Sequence, residues 1–257
     1  NHMKKLLFIC LAAFAAASCT QEKQQSKPLY MWFDCEGNYA TLSHPDSIRY
    51  YVSKIHDMGF TDVVVDVKSI MGETLYKSDI APYMGEWDGV TRPENYDLLG
   101  YFIEEGHKLG MRVHGSLNVF AGGHNFFDRG IIYGDHADWQ SQVYTEGKIV
   151  PISEIKSNYN GMLNPANPEV QEYELAILRE FAEKYPDVDG IVFDRVRFDN
   201  ITSDFSPLSK ELFEAYAGTK GADYPAGRRM PTASGTGRRA RCSASGSNGA
   251  HRLSRTS

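Results

Sequence analysis

Cysteine is scarce in this chain, four residues in 257, and none stands at metal-ligand spacing from another. A disulfide framework and a cysteine metal site are thereby set aside. No G-x-S-x-G elbow is present, which weighs against an esterase or deacetylase on a doubly wound sheet. No Gly-rich loop opens a predicted helix, so dinucleotide binding is disfavoured. The histidines are scattered rather than clustered with Asp, and neither a metal nor another cofactor is expected. Positive charge is not in excess: the formal balance is −6, which argues against a general nucleic-acid binder. The apolar run from Leu6 to Ala17 is too short to cross a membrane as a mature helix.

The two ends differ from the middle. Asn1 and His2 precede Met3 and have the look of a cloning scar or a misplaced start. Met3-Lys4-Lys5 is a basic lead into the apolar run, and Ala16-Ala17-Ser18-Cys19 supplies small residues before a cysteine. That pattern is a secretory signal, residues 1–19, resembling a bacterial lipobox with Ala16 where Leu is usual. Cys19 is the expected lipidation site, and residues 20–28 are a polar tether. A lipid-anchored, exported bacterial protein of the outer membrane, cell surface or periplasm is expected. From residue 225 to 257 there are seven Arg and no Lys, Asp, Glu or aromatic residue. Such a tail is expected to be disordered, and we read it as a shifted frame rather than a nucleic-acid arm.

Between them, apolar segments alternate with amphipathic ones. "LYMWF" (29–33), "FTDVVVDV" (60–67), "MRVHGSLNV" (111–119) and "GIVFD" (190–194) predict strands. "PDSIRYYVSKIHDM" (45–58), "YDLLGYFIEEGHKL" (96–109) and "NPEVQEYELAILREFAEK" (167–184) predict helices, and another starts near 209. Ser43 or Asp46 is the expected cap of the first, and Pro168 opens the third at N1. Val170, Tyr173, Leu175, Leu178 and Phe181 form its expected apolar stripe. The order βαβαβαβα with apolar strands implies an α/β fold with a parallel sheet. A doubly wound sheet and a (β/α)8 barrel both fit. The longest loops follow strand C-termini, as on the catalytic face of a barrel.

"DGIVFDRVRFDN" (189–200) raises the functional question, because an apolar strand runs straight into three charges. All four strands end alike: Asp34 on the first, Asp66 and Lys68 on the second, His114 and Asn118 on the third, Asp194 with Arg195 and Arg197 on the fourth. In a parallel sheet these ends open into one solvated cleft, where charges bind or transform a ligand. Trp87 and Trp139, in long loops, are the rings expected to stack on a ligand, whereas Trp32 is expected to pack in the core. Cys35 reads as a packed thiol.

"LYMWFD", "YDLLGYFIEEGHKLGMRVHGSLN" and "LNPANPEVQEYELAILREFAEKYPDVDGIVFDRVRF" together resemble glycosyl hydrolase-like family 10, over about residues 29–224. The family resembles α-amylase-type (β/α)8 glycosidases, so the resemblance implies a TIM barrel acting on glycosidic bonds of an oligo- or polysaccharide. It carries Asp194 over as the catalytic position, and His114 and Asn118 as polar positions of the third strand. It carries Asn164 over too, though that residue reads as a turn before the Pro168 helix. Arg195 stands where the family has a second Asp, and Val196 where it has Tyr.

Glycoside hydrolysis generally needs one protonated and one ionised carboxyl group. Arg195 and Arg197 near Asp194 are expected to hold it ionised, as nucleophile or charge stabiliser. The partner acid is not identifiable from sequence. A non-catalytic carbohydrate-binding protein on the same scaffold is the alternative, with Arg195 marking lost catalysis. A (β/α)8 barrel typically takes about 250 residues, and only four βα units are legible. The expectation is therefore the first half of a barrel, aggregation-prone and inactive as it stands. Oligomeric state is left open.

Overall fold

The computed structural model describes residues 27–218 and residue 220. The expected signal with Cys10 and Cys19, most of the expected tether, and the Arg-rich tail with Cys242 lie outside the described residues.

In chain order the elements are β1 (Tyr30–Phe33), α1 (Pro45–Asp57), β2 (Asp62–Lys68), a hairpin of β3 (Glu86–Trp87) and β4 (Val90–Thr91), and α2 (Leu98–Lys108). Then come β5 (Arg112–Asn118), β6 (Ala121–His124), β7 (Gln142–Thr145), β8 (Lys148–Pro151), β9 (Asn160–Met162), α3 (Pro168–Lys184), β10 (Gly190–Asp194) and α4 (Pro207–Ala217). The central sheet is parallel in the order β1-β2-β5-β10. Each new strand is added on the same side, with no reversal of the kind that marks the switch point of a doubly wound sheet. The four predicted strands are these four, within two residues at each end.

Local chemistry sets the helix ends. Asp97 caps α2 by accepting from Gly100 N–H at 2.9 Å, and Asn167 caps α3 by accepting from Glu169 N–H at 2.9 Å. The expected cap of α1 does not form. His44 occupies that position with no side-chain bond, because Ser43 Oγ is turned to Tyr39 O (2.6 Å) and to Arg92 Nε (2.7 Å). Asp46 instead pairs with Arg49 in the first turn.

Side chains alternate across the sheet. One face, with Phe33, Val63, Val65, Val113 and Leu117, belongs to a buried core that also takes Val52 and Ile55 of α1, Leu99 and Phe102 of α2, and Ile177 and Phe181 of α3. The Phe33 and Phe102 rings meet at a tilt, their centres 4.9 Å apart. Gly115 lets Phe181 reach the sheet, since a Cβ there would lie 2.4 Å from Phe181 Cζ. The stripe predicted for α3 is partly corrected: Leu175 is exposed, while Glu174 and Glu180 are buried. The other face carries Trp32, Asp66, His114, Ser116, Asn118, Val192 and Asp194, by register and alternation.

Residues 120–166, unresolved by periodicity, form two small antiparallel sheets, β6–β9 and β7–β8, above the strand C-termini. Their three- and four-residue strands, one reading "AGGH" and one "NGM", are too short and glycine-rich for an alternation signal.

Candidate active site

The C-terminal strand ends gather a polar cluster on the open face of the sheet. Asp194 stands in register with Asn118 across β10 and β5. Val119 N–H donates to Asp194 O at 2.9 Å, which ties down the strand end. The strand stops at Asp194. Arg195 takes a left-handed backbone, φ 53°, so its side chain is not thrown to the far face as continued alternation would require. Its Nε donates to Asn118 Oδ1 at 2.8 Å, and a terminal nitrogen donates to Tyr159 OH at 3.1 Å. The Asp194 carboxylate accepts the Arg195 backbone N–H at 2.7 Å.

The expectation that Arg195 and Arg197 sit against the Asp194 carboxylate is corrected on this geometry. Arg195 is drawn to Asn118 and Tyr159, and Arg197 folds onto the carbonyls of Phe198 (3.1 Å) and Asp199 (2.6 Å) in its own loop.

Lower on the same face lies Asp66. It is 7% exposed, and Trp32 Nε1 donates to its Oδ1 at 2.8 Å. Burial pushes the Asp66 carboxyl up to about 7; the hydrogen bond from Trp32 pulls it down, and the nearby charges of Glu36 and Asp34 push it up. Trp32 is thus not a core residue: it is 47% exposed, on the open face, and its indole N–H is committed to Asp66. Burial also raises Glu36, whose carboxylate accepts from Ile70 N–H (3.1 Å) and Cys35 Sγ (3.3 Å). Cys35 is buried beside it. Asp34 accepts from Gly37 N–H at 2.5 Å and closes the turn after β1.

Asp66 gives a testable pH dependence. An unfolded Asp titrates near 3.8, and the folded one at about 7. Between these values the folded state keeps a proton that the unfolded chain has lost. Its contribution therefore falls as pH rises through that window and is constant above it, by about 1.4 kcal/mol per pH unit. Asp66→Asn is expected to remove that slope, so thermal melts should show the variant gaining on the wild type from about pH 4 to pH 7. A pH-independent offset would contradict the assignment.

Three expected ligand contacts are displaced. Lys68 leaves the cleft because the register slips between Asp66 and Lys68, pairing Lys68 with Leu117 on the helix side. There it is buried, with Nζ 3.0 Å from Glu174 Oε1 and 3.0, 2.8 and 3.3 Å from the carbonyls of Asn118, Val119 and Ala121. Burial pushes Glu174 up to about 7, against the pull of Lys68. His114 sits at the N-terminal half of β5, its Nε2 2.7 Å from Asp62 Oδ1, where Arg112 joins at 2.8 Å. Trp139 is buried against α3: His136 stacks on it at 3.7 Å, Tyr173 lies at 5.1 Å, and its Nε1 donates to Glu169 at 3.0 Å. Trp87 stays half-buried above the strand ends, edge-on to Phe127 at 5.3 Å. Asn164 is buried and donates to Asp204 at 2.8 Å and Ser206 at 3.1 Å, holding the turn before α3 to the loop before α4.

The C-terminal half of the parallel sheet thus carries one buried carboxyl, Asp66, raised by that burial, and a second, solvent-exposed one, Asp194, on its open face. The chain belongs to the glycosyl hydrolase-like 10 family, which it matches over residues 31–226. It is 32% identical over 205 residues to an S-layer-related protein of Niallia circulans, covering 76% of this chain and 13% of that one. It is 29% identical over 151 residues to the glycosyl hydrolase DigH of Escherichia coli (strain K12), covering 53% of this chain and 31% of that one. The chain thus spans less than a third of either curated relative. A crystal structure of a hypothetical protein from Ruminiclostridium thermocellum ATCC 27405 superposes with a TM-score of 0.46 at 19% identity, over 75% of this chain and 93% of that one.

Proposed function

We propose that the chain is the first half of a (β/α)8 glycosidase that cleaves glycosidic bonds in an oligo- or polysaccharide, with Asp194 as ionised nucleophile or charge stabiliser. One observation carries this: in a chain of a glycosyl hydrolase-like family, Asp194 ends the fourth parallel strand on the open face, level with Asn118. Asp66, raised by burial to about 7, fits the complementary role of protonated acid. Two further features support the half-barrel. Both outer strands lack a neighbour among the described residues. Tyr30 and Trp32 on β1, and Ile191 and Phe193 on β10, are left exposed. Further βα units would cover both edges, which are otherwise association hazards.

The test extends the chain to the length of its relatives and compares glycoside turnover with that of Asp194→Asn. Loss of turnover in the variant supports the reading. If both are equally inert while a glycan still binds, the protein is a carbohydrate-binding module on the same scaffold. The hold of Arg195 on Asn118 favours that second reading.

We also propose that the protein is an exported bacterial lipoprotein anchored through Cys19, on the support of residues 3–19 alone. A palmitate label should enter the wild type and be lost in Cys19→Ala; a label retained in the variant would overturn the anchor.

A further inference from the structure

A row of aromatic rings runs outward from the Asp194 cleft and is not needed for bond cleavage. Arg195 bridges from Asn118 to Tyr159 OH, and its guanidinium lies 5.8 Å from the Tyr159 ring centre. Tyr159 lies 6.2 Å from Phe126 and 5.8 Å from His124. His124 lies 4.5 Å from Phe127, which meets Trp87 at 5.3 Å. The rings come from three separate segments: the loop after β2, the β5–β6 region, and the approach to β9. All three follow strand C-termini, so the row and the cleft share one side of the sheet.

The outer rings are open to solvent: Phe127 is 61% exposed, Phe126 58% and Tyr159 42%. Surface aromatics usually occur singly, whereas these form a contiguous patch continuous with a polar cleft. Burial lowers the pKa of His124, which keeps the middle of the row neutral near pH 7. Arg129, over Trp87, is matched by Glu73 at 2.7 Å and Glu86 at 3.5 Å, so the far end carries no unmatched cation. The row is therefore aromatic and carries no unmatched cation until it reaches Arg195.

We infer that Trp87, Phe126, Phe127 and Tyr159 form an extended subsite on which successive pyranose rings of a neutral glycan chain stack, leading that chain to Asp194. Resting on the carbohydrate reading above, it adds where the polymer lies and which sugars suit it. Pyranoses with equatorial hydroxyls turn apolar C–H faces to both sides and can lie flat on aromatic rings. Arg195 and Tyr159 OH, where the row meets the cleft, supply polar contacts that orient a hydroxyl-bearing edge. A protein partner is disfavoured because the row is narrow and ends in the cleft.

The test titrates the purified chain with cellohexaose, chitohexaose and maltohexaose, followed by tryptophan fluorescence and calorimetry. At least one of the first two should bind saturably. Phe127→Ala and Tyr159→Ala should each weaken that binding about tenfold or more, since each removes one stacking ring. Tyr50→Ala, an exposed ring on α1, should leave the affinity unchanged. Circular dichroism of each variant separates loss of binding from loss of fold, and a milder Phe127→Leu serves if the alanine variant unfolds. Binding unchanged in both platform variants but lost in Asn118→Ala would place the sugar in the cleft only. That outcome overturns the subsite while leaving the glycosidase reading intact. No binding by any hexasaccharide also overturns the subsite, and turnover of the extended chain then judges the catalytic reading separately.

Discussion

Lys68→Met is expected to destabilise the fold by about 3–5 kcal/mol, the range for removing one partner of a buried ion pair. Lys68 is fully buried, and its ammonium is surrounded by the Glu174 carboxylate and three backbone carbonyls. Methionine fills much of the same space but donates nothing. It would strand a carboxylate whose second oxygen, Oε2, already has no partner, together with carbonyls from the turn after β5. That turn begins at Asn118, the neighbour of Asp194, so the damage reaches the cleft. The double variant Lys68→Met, Glu174→Leu should recover a large part of the loss, because an apolar pair leaves no uncompensated charge. Urea unfolding of the single and double variants measures both effects. A single variant within about 1 kcal/mol of the wild type would mean the pair contributes no more than an exposed one.

Asp194→Asn in the extended chain should lower kcat by about 10³-fold or more, as for loss of a nucleophile or of the charge that stabilises a cationic transition state. Binding should change far less, because the amide keeps the shape and can still accept the Arg195 N–H. On the half-barrel reading, residues 1–257 alone should show no turnover, since the described residues supply four strands of the parallel sheet. Glycosidase activity from this chain by itself would contradict the half-barrel reading. Asn in place of Asp with kcat unchanged would remove Asp194 from the chemistry.

The strands and the long helices were legible because each carries its own period: β-branched runs for the sheet, a 3.6-residue stripe for the helices. Asp194 and Asn118 were legible for a related reason, since alternation and strand ends place them on one face. What stayed hidden depends on partners far along the chain. Nothing near Lys68 announces that a one-residue slip in register will aim it at Glu174, 106 residues away. His114 reads as a strand-end polar residue until Asp62, 52 residues earlier, claims it. Trp139 looks like a loop aromatic, yet α3 buries it through Tyr173 and Glu169. Trp32 looks like a core residue because its strand is apolar, but the open face leaves its ring in solvent and Asp66 takes its N–H. The raised pKa of Asp66 was illegible for the same reason: it comes from burial, and burial is tertiary.

Backbone amide shifts of the 15N-labelled chain, recorded during titration with a bound hexasaccharide, test the shared cleft most directly. The largest changes are expected at Asn118, Asp194 and Arg195, spreading to Tyr159 and Phe127. Changes confined to the outer faces of α1, α2 or α3, with the strand C-termini silent, would contradict a carbohydrate meeting Asp194 at the mouth of the sheet.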